Sequence, residues 1–186
     1  MKTNYKLLSF LLATFIVNCS PAQASKFDLL FGAFSYDAKV GSKSTKVSGL
    51  GTYEIAYLLP FKDHFEINLG YSFTMTSIIS GDYSYGPKLG VNYFPFNFSS
   101  NEKIILPNKV VEVHDYMKPY VGISFNQRQF QSAKSSYAGF GLSLGVEKFI
   151  NPKYTLKFEL KLNNYTGAAE ATASEKNILT GLVISF

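Results

Sequence analysis

Tyr154, Leu156, Phe158, Leu160 and Leu162 alternate with Thr155, Lys157, Glu159 and Lys161 without a break. Side chains on an extended chain point to opposite faces in turn, so this stretch carries one apolar and one polar face. Wound as a helix, it would scatter its charges around the circumference. The alternation recurs along the chain. Tyr53, Ile55, Tyr57 and Leu59 oppose Ser48, Thr52, Glu54 and Ala56. Phe65, Ile67, Leu69, Tyr71, Phe73 and Met75 oppose Glu66, Asn68, Gly70, Ser72, Thr74 and Thr76. Tyr83, Tyr85, Leu89, Val91 and Tyr93 oppose Ser84, Gly86, Lys88, Gly90 and Asn92. Further on, Val121, Ile123 and Phe125 face away from Gly122, Ser124, Asn126 and Arg128, and Phe140, Leu142, Leu144 and Val146 away from Gly139, Gly141, Ser143, Gly145 and Glu147. Ile178, Leu182, Ile184 and Phe186 share the last apolar face.

With 27–39, whose facing is ambiguous, these segments predict eight strands over 27–39, 47–59, 65–76, 83–94, 119–128, 138–149, 154–162 and 177–186. Pro60–Asp63 and Asn151–Lys153 read as tight turns; 40–46, 78–82 and 164–175 read as polar or small-residue loops. No helix long enough to cover a sheet is predicted. The fold class is all-β, an eight-stranded antiparallel up-and-down barrel.

Alternation alone does not say which face is inside. A soluble barrel of lipocalin type buries the apolar face, and a transmembrane barrel turns it outward to lipid. Three features favour lipid. The apolar faces are built of large residues, whereas the other faces are rich in Gly, Ser and Thr, which suit the narrow interior that eight strands enclose. The polar faces carry Glu54, Glu66, Glu147 and Glu159 against Lys88, Arg128, Lys157 and Lys161, a balance suited to an enclosed space where an unpaired charge is costly. The strands also reach the roughly 9–11 residues that a tilted membrane strand needs. Tyr53, Tyr57, Tyr83, Tyr93 and Tyr154 lie toward strand ends, where aromatic girdles form.

Composition agrees with this choice. Charged residues are 17% of the chain and aromatic residues 16%, a charge-poor pairing for a surface facing only water. The N-terminus adds an export signal: Lys2 and Lys6, an apolar run over 7–17, and Pro21-Ala22-Gln23-Ala24 before Ser25. The run is too short to span a bilayer as a helix. Cleavage is expected after Ala24, which makes 1–24 the leader and 25–186 the barrel domain. Cys19 is the single cysteine and falls inside the leader, so no disulfide and no thiolate chemistry is expected in the mature chain. The 18 basic and 13 acidic residues are dispersed, with two of the lysines in the leader, and no nucleic-acid footprint results.

The export signal, the alternating strands and the terminal Gly181-Leu182-Val183-Ile184-Ser185-Phe186 resemble the small outer-membrane barrels of OmpA/OmpX type. Gly86–Pro95 and Pro119–Gly122 are similar to recurring strand motifs of that group. The resemblance implies residence in the cell outer membrane, in contact with its lipid and lipopolysaccharide, as a monomer. Gly181, Leu182, Ile184 and Phe186 would then form the signal read by the outer-membrane assembly machinery. No peptidoglycan-binding segment follows Phe186 in this sequence, so a wall-anchoring role is not expected.

With the N-terminus in the periplasm, the connection over about 96–118 is periplasmic and unusually long. Ile104-Ile105-Leu106 and Val110-Val111-Glu112-Val113 either extend the flanking strands as a hairpin or belong to an insertion without regular structure. A contact site is expected there. Lys39, Lys43 and Lys46 cluster on the first external loop, where they either pair with lipid phosphates or are simply solvated.

Catalytic chemistry is hard to assemble. The two histidines, His64 and His114, fall at the periplasmic end, both expected to be solvated, and no metal spacing, nucleophile elbow or phosphate loop is present. Glu147 with Lys157, and Glu159 with Lys88 or Lys161, could imitate acid–base pairs, but read more simply as lumen-filling ion pairs. No cofactor and no enzymatic activity are expected. The functional reading is a structural or surface-interaction barrel with a side-chain-plugged lumen; the alternatives are a narrow pore and a secreted ligand-binding barrel.

Overall fold

Nine strands carry almost all of the described residues of the computed structural model, which are 25–61, 64–77, 82–96, 98–106, 109–131, 135–168 and 171–186. The expected leader, 1–24, lies outside the described residues. The strands are β1 (Lys26–Val40), β2 (Lys43–Phe61), β3 (Phe65–Ser77), β4 (Asp82–Tyr93), β5 (Phe98–Leu106), β6 (Lys109–Phe130), β7 (Ser135–Asn151), β8 (Tyr154–Gly167) and β9 (Thr172–Ser185). All pairings are antiparallel: β1 to β4 pair in sequence, as do β5 to β9, β9 returns to β1, and β4 pairs directly with β6. Eight strands therefore close into a barrel. β5 stays outside the ring and, among the described residues, pairs only with the first part of β6, from Phe98↔Met117 to Leu106↔Lys109. Of the two readings of this connection, the hairpin is the one observed.

The outward face is apolar over a band bounded by Phe27, Tyr57, Phe65, Tyr93, Tyr154 and Phe186 at the end that holds both termini. Its opposite limit is Ala33, Leu50, Leu162 and Ile178. On β8 the band runs from Tyr154 to Leu162 with every odd-parity residue buried. At the strand rise and tilt usual for a small barrel it stands roughly 20–25 Å tall. Ring pairs reinforce it at the terminal end, Phe27–Tyr57 at 5.4 Å, Phe27–Phe186 at 5.7 Å and Phe65–Tyr93 at 5.0 Å. Higher on the wall, Phe73–Tyr83 and Tyr83–Tyr85 pack at 5.5 and 5.9 Å.

Beyond the band the strands continue, and here the sequence expectation is corrected. The 40–46 loop is a two-residue turn, Gly41-Ser42, with β1 and β2 paired up to Val40↔Lys43. Gly41 takes φ +58° there, a region glycine enters without steric cost. The 164–175 loop is likewise mostly strand, with Thr166 paired to Thr172. A second correction concerns Ser48, to which strict alternation assigns the face of Thr52. A bulge at Gly51, φ +127°, makes Gly32 pair with Thr52 but Ala33 with Leu50, and the extra residue reverses the facing of everything above it. Ser48 therefore points outward while Thr52 is fully buried.

Inside the barrel, small residues give way to large ones. A Cβ on Gly145 would sit 2.3 Å from the Tyr120 ring, so this glycine is the space that ring occupies. Gly181 lies so close to β1 that a Cβ would meet the Leu29 carbonyl oxygen, which fixes the tight β1–β9 seam.

Candidate functional site in the barrel lumen

All eight charged residues singled out from the sequence point into the barrel and are buried: Glu54, Glu66, Lys88, Arg128, Glu147, Lys157, Glu159 and Lys161. They come from six different strands, and the two-residue period places each on the inward face. The structure adds two acids that the sequence reading did not select, Asp28 and Glu175, both at most 1% exposed. Each is the nearest carboxylate to a buried cation, Asp28 to Lys157 and Glu175 to Arg128.

The central cluster holds three acids and three bases. Glu54 receives Lys88 Nζ at 2.8 Å and Lys161 Nζ at 2.5 Å. Glu159 lies 3.1 Å from Lys161, 4.0 Å from Lys88 and 3.9 Å from Lys157. Lys157 donates to Asp28 at 2.6 Å and sits 5.0 Å from the centre of the Tyr120 ring. Tyr120 donates its hydroxyl to Glu159 at 2.5 Å. The pairing of Glu159 with Lys88 and Lys161 is thus present. The pairing of Glu147 with Lys157 is not: the two are cross-strand neighbours, but the ammonium turns to Asp28 instead, the carboxylate that closes the charge balance. Glu147 stays buried with Oε1 unpartnered.

Nearer the barrel end away from the termini, Arg128 donates to Glu175 at 2.7 Å. Tyr165, Asn163 and Asn177 donate to the same carboxylate at 2.5, 3.0 and 3.0 Å. At the terminal end, Glu66 accepts from Lys26 at 3.1 Å and from Asn92 at 3.4 Å. The lumen thus contains a lower pair, a central six-ion cluster and an upper Arg–Glu node. Above that node it turns apolar. Phe34, Tyr36, Tyr137, Tyr165, Ala171 and Ala173 form one buried cluster, with Phe130 packed on Tyr36 and Tyr137 at 5.4 and 5.3 Å.

The remaining candidates are placed elsewhere. His64 is exposed, but Nδ1 lies 2.9 Å from the Phe94 carbonyl and its own carbonyl accepts from Phe94 N. It is a latch beside the barrel's terminal mouth rather than a freely solvated group. The side chain of His114 lies outside the described residues. Among the described residues no group of three or more His, Cys, Asp or Glu could hold a metal ion. Leu182 and Ile184 face outward, Phe186 is exposed, and β9 is bonded to both β8 and β1.

A closed ring of eight strands with an apolar exterior and an ionic interior is the arrangement of a membrane barrel, and the sequence profile of the outer membrane protein beta-barrel domain matches residues 9–186. The chain belongs to this outer-membrane β-barrel family. Among solved structures, the Neisserial surface protein A shares 13% identity with this barrel at a TM-score of 0.52, with 88% of this chain and 100% of that chain covered. OprG from Pseudomonas aeruginosa shares 12% at 0.47, with 88% and 97% covered. The outer-membrane protease OmpT from Escherichia coli shares 10% at 0.41, with 90% and 98% covered. At these identities the likeness is one of fold. No curated protein matches the chain in sequence. Family membership supports the transmembrane reading of the apolar face over the secreted, ligand-binding one.

Proposed function

We propose that this outer-membrane barrel is a non-enzymatic component of the cell envelope whose lumen is closed by its own side chains. Export and cleavage after Ala24 would deliver it with both termini in the periplasm and the Gly41-Ser42 turn outside the cell. The observation that carries the reading is the central cluster. Asp28, Glu54 and Glu159 neutralise Lys88, Lys157 and Lys161 at buried positions drawn from β1, β2, β4 and β8. Ions held by one another across so narrow an interior leave no lane for solute. The aromatic layer above them is a second obstruction.

Support for a non-catalytic role comes from the placement of bases. Both histidines of the sequence lie at the terminal end, far from the mouth that meets external substrates. Asp28, Glu54, Glu66, Glu159 and Glu175 are each engaged with a cation in the lumen rather than aimed at an open cleft. Surface interaction is the complementary part of the role. Above Thr52, β2 pairs with β1 alone among the described residues, so the β1–β2 hairpin stands clear of β3 as an exposed wall. At the terminal end, Gly181, Leu182, Ile184 and Phe186 would serve recognition by the assembly machinery, on the strand that pairs with β1 to close the ring.

The test is single-channel recording in planar bilayers. The wild-type barrel, shown to be folded by its heat-dependent gel mobility, should give no sustained conductance. Discrete, reproducible openings would establish the narrow pore instead.

A further inference from the structure

We infer that the β5–β6 ribbon beyond the barrel's terminal end is a strand-addition site, whose free β5 edge takes an extended, mainly apolar segment of a periplasmic protein. The inference rests on the orientation proposed above, with both termini in the periplasm. It gives the contact expected over about 96–118 a mode of recognition, and it does not depend on whether the lumen conducts.

β6 runs unbroken over Lys109–Phe130, but the barrel wall uses only part of it. Pairing with β4 begins at Tyr93↔Val121 and pairing with β7 at Met117↔Lys148. Residues 109–116 therefore leave the wall, and among the described residues β5 is their one partner strand. At about 3.3 Å per residue this stretch carries the ribbon roughly 26 Å along its own direction. A ribbon of two strands is marginally stable by itself in water. The outer edge of β5, paired with nothing among the described residues, presents the backbone N–H and C=O groups of alternate residues as a template for another strand.

The opposite end of the barrel shows how this chain builds a ribbon for water. Above the Gly51 bulge β1 and β2 also stand as a pair, and Lys39, Lys43, Ser44 and Lys46 near its turn are all exposed. The β5–β6 tip is of another kind. Ile104-Ile105-Leu106 faces Val110-Val111 across the register, with Ile104 opposite Val111 and Ile105 opposite Val110. Successive residues of a strand belong to opposite faces, so such a run gives the tip apolar residues on both. Two lysines against three acids over 98–116 leave little net charge to select a partner.

The tip thus needs apolar cover and, along one edge, backbone hydrogen bonds. Hydrocarbon supplies the first and not the second, since an open strand edge is not tolerated in lipid. An extended polypeptide supplies both, bonding through its main chain and covering with alternate side chains. A second copy of the barrel does not fit. Two copies in one membrane are related by an axis along its normal, which keeps both β5 strands running in the same sense and denies them the antiparallel pairing used throughout this sheet. The occupant is therefore a segment of another protein on the side of the termini, rich in apolar β-forming residues and close to neutral.

The experiment titrates the full barrel in lipid nanodiscs, which leave both ends accessible, with a fluorescent eight-residue peptide of alternating Val and Thr, acetylated and amidated. Anisotropy reads binding, and hydrogen exchange with mass spectrometry locates it. Binding should protect 98–106 and leave 43–50 unchanged. Of two peptides N-methylated on alternate residues, one along each edge, one should bind like the parent and the other should fail. I104T/I105T keeps β-branched residues but removes apolar surface, and should weaken binding at least tenfold, about 1.4 kcal/mol. K39T/K46T, on the outer ribbon, should bind like the wild type. Equal binding by wild type and I104T/I105T, or by both N-methylated peptides, would overturn the proposal. So would the same gain of protection over 98–106 on moving from detergent to nanodisc without peptide, because the membrane would then be the occupant. Gel mobility confirms that each variant barrel is folded, and exchange over 109–116 that its ribbon persists.

Sidedness is read separately. Cys19, the one cysteine, lies in the expected leader, so S100C gives the mature chain a single thiol. A maleimide that does not cross the outer membrane should label it only after that membrane is opened. Labelling in intact cells would refute the orientation and with it the periplasmic source of the segment. A ribbon on the periplasmic side that ignores the peptide would refute the site alone.

Discussion

Replacing Glu54 by Gln isolates the electrostatics of the central cluster with almost no change in volume. In the native barrel Glu54 is the shared acceptor of Lys88 and Lys161, at 2.8 and 2.5 Å, and three acids balance three bases. E54Q leaves three cations facing two anions. Lys161 retains Glu159 at 3.1 Å, whereas Lys88 is left with the same carboxylate at 4.0 Å. Removing one partner of a buried pair costs about 3–5 kcal/mol because the other charge stays buried. With Glu159 still present, the expected loss is at the lower end, about 3 kcal/mol, a large share of the roughly 5–15 kcal/mol that holds a typical domain folded. E54Q/K88M removes the stranded cation with its partner and should recover at least half of the loss. The chain has no tryptophan, so urea unfolding in lipid vesicles would be followed by far-UV circular dichroism and by the mobility of the folded band. If E54Q cost less than about 1 kcal/mol, or the double variant were no more stable than the single one, the ions would be individually hydrated. The lumen would then be hydrated rather than sealed by its own ion pairs.

Y120F removes the hydroxyl that donates to Glu159 at 2.5 Å and should cost about 1.5–3 kcal/mol, the usual worth of a hydrogen bond to a charged group, measured by the same urea titration. R128M strands Glu175, which Tyr165, Asn163 and Asn177 still approach at 2.5–3.0 Å, and should lose about 3–5 kcal/mol; R128M/E175Q should recover part of it. G181A places a methyl group against the Leu29 backbone oxygen, which cannot rotate away. Its folded fraction on a gel-shift refolding assay should fall well below that of G41A, whose Cβ would meet nothing within 4 Å and which bears only the cost of a positive φ.

The parity of the strands was legible because lipid outside and ions inside create the strongest possible contrast between successive residues. Within the band every assigned facing follows from it, as Tyr154–Leu162 illustrates. The contrast also contained what was overlooked. Phe27, Leu29 and Phe31 on odd positions put Asp28 in the lumen, but the inward Leu30, Phe34 and Tyr36 blurred the pattern. Ile178 and Leu182 likewise imply that Glu175 and Asn177 face inward, once the strand is extended past Asn177. The Gly51 bulge was not legible, since a one-residue insertion leaves composition untouched and changes only the count. Nor was the partner of Lys157. Register places Glu147 opposite it, but in a closed ring the carboxylate of a strand across the seam is as near as that of a neighbour.

The shortened loops have a separate cause, which also explains the layering of the lumen. Along one strand the solvent of the outer face changes from acyl chain to water, and the requirement on the inner face changes with it. Within the band, outward Leu162 and Ile178 need no water, and inward Lys161 and Asn177 find partners in the lumen. Beyond it, the outward residues are Ser174, Asp37 and Lys46, whose exposure to water supplies no burial. A barrel wall there must gain its stability from an apolar interior, as a soluble barrel does. Phe34, Tyr36, Phe130, Tyr137 and Tyr165 provide that interior. The polarity of the two faces therefore inverts along the strands, close to the Arg128–Glu175 node. A sequence pattern read with one fixed assignment of faces loses its signal where the inversion occurs, and the segments beyond it look like loops. The inversion itself marks where lipid ends, independently of any count of residues. The boundary it gives on β9 lies between Ile178 and Lys176, the same step at which the outer wall first presents a cation.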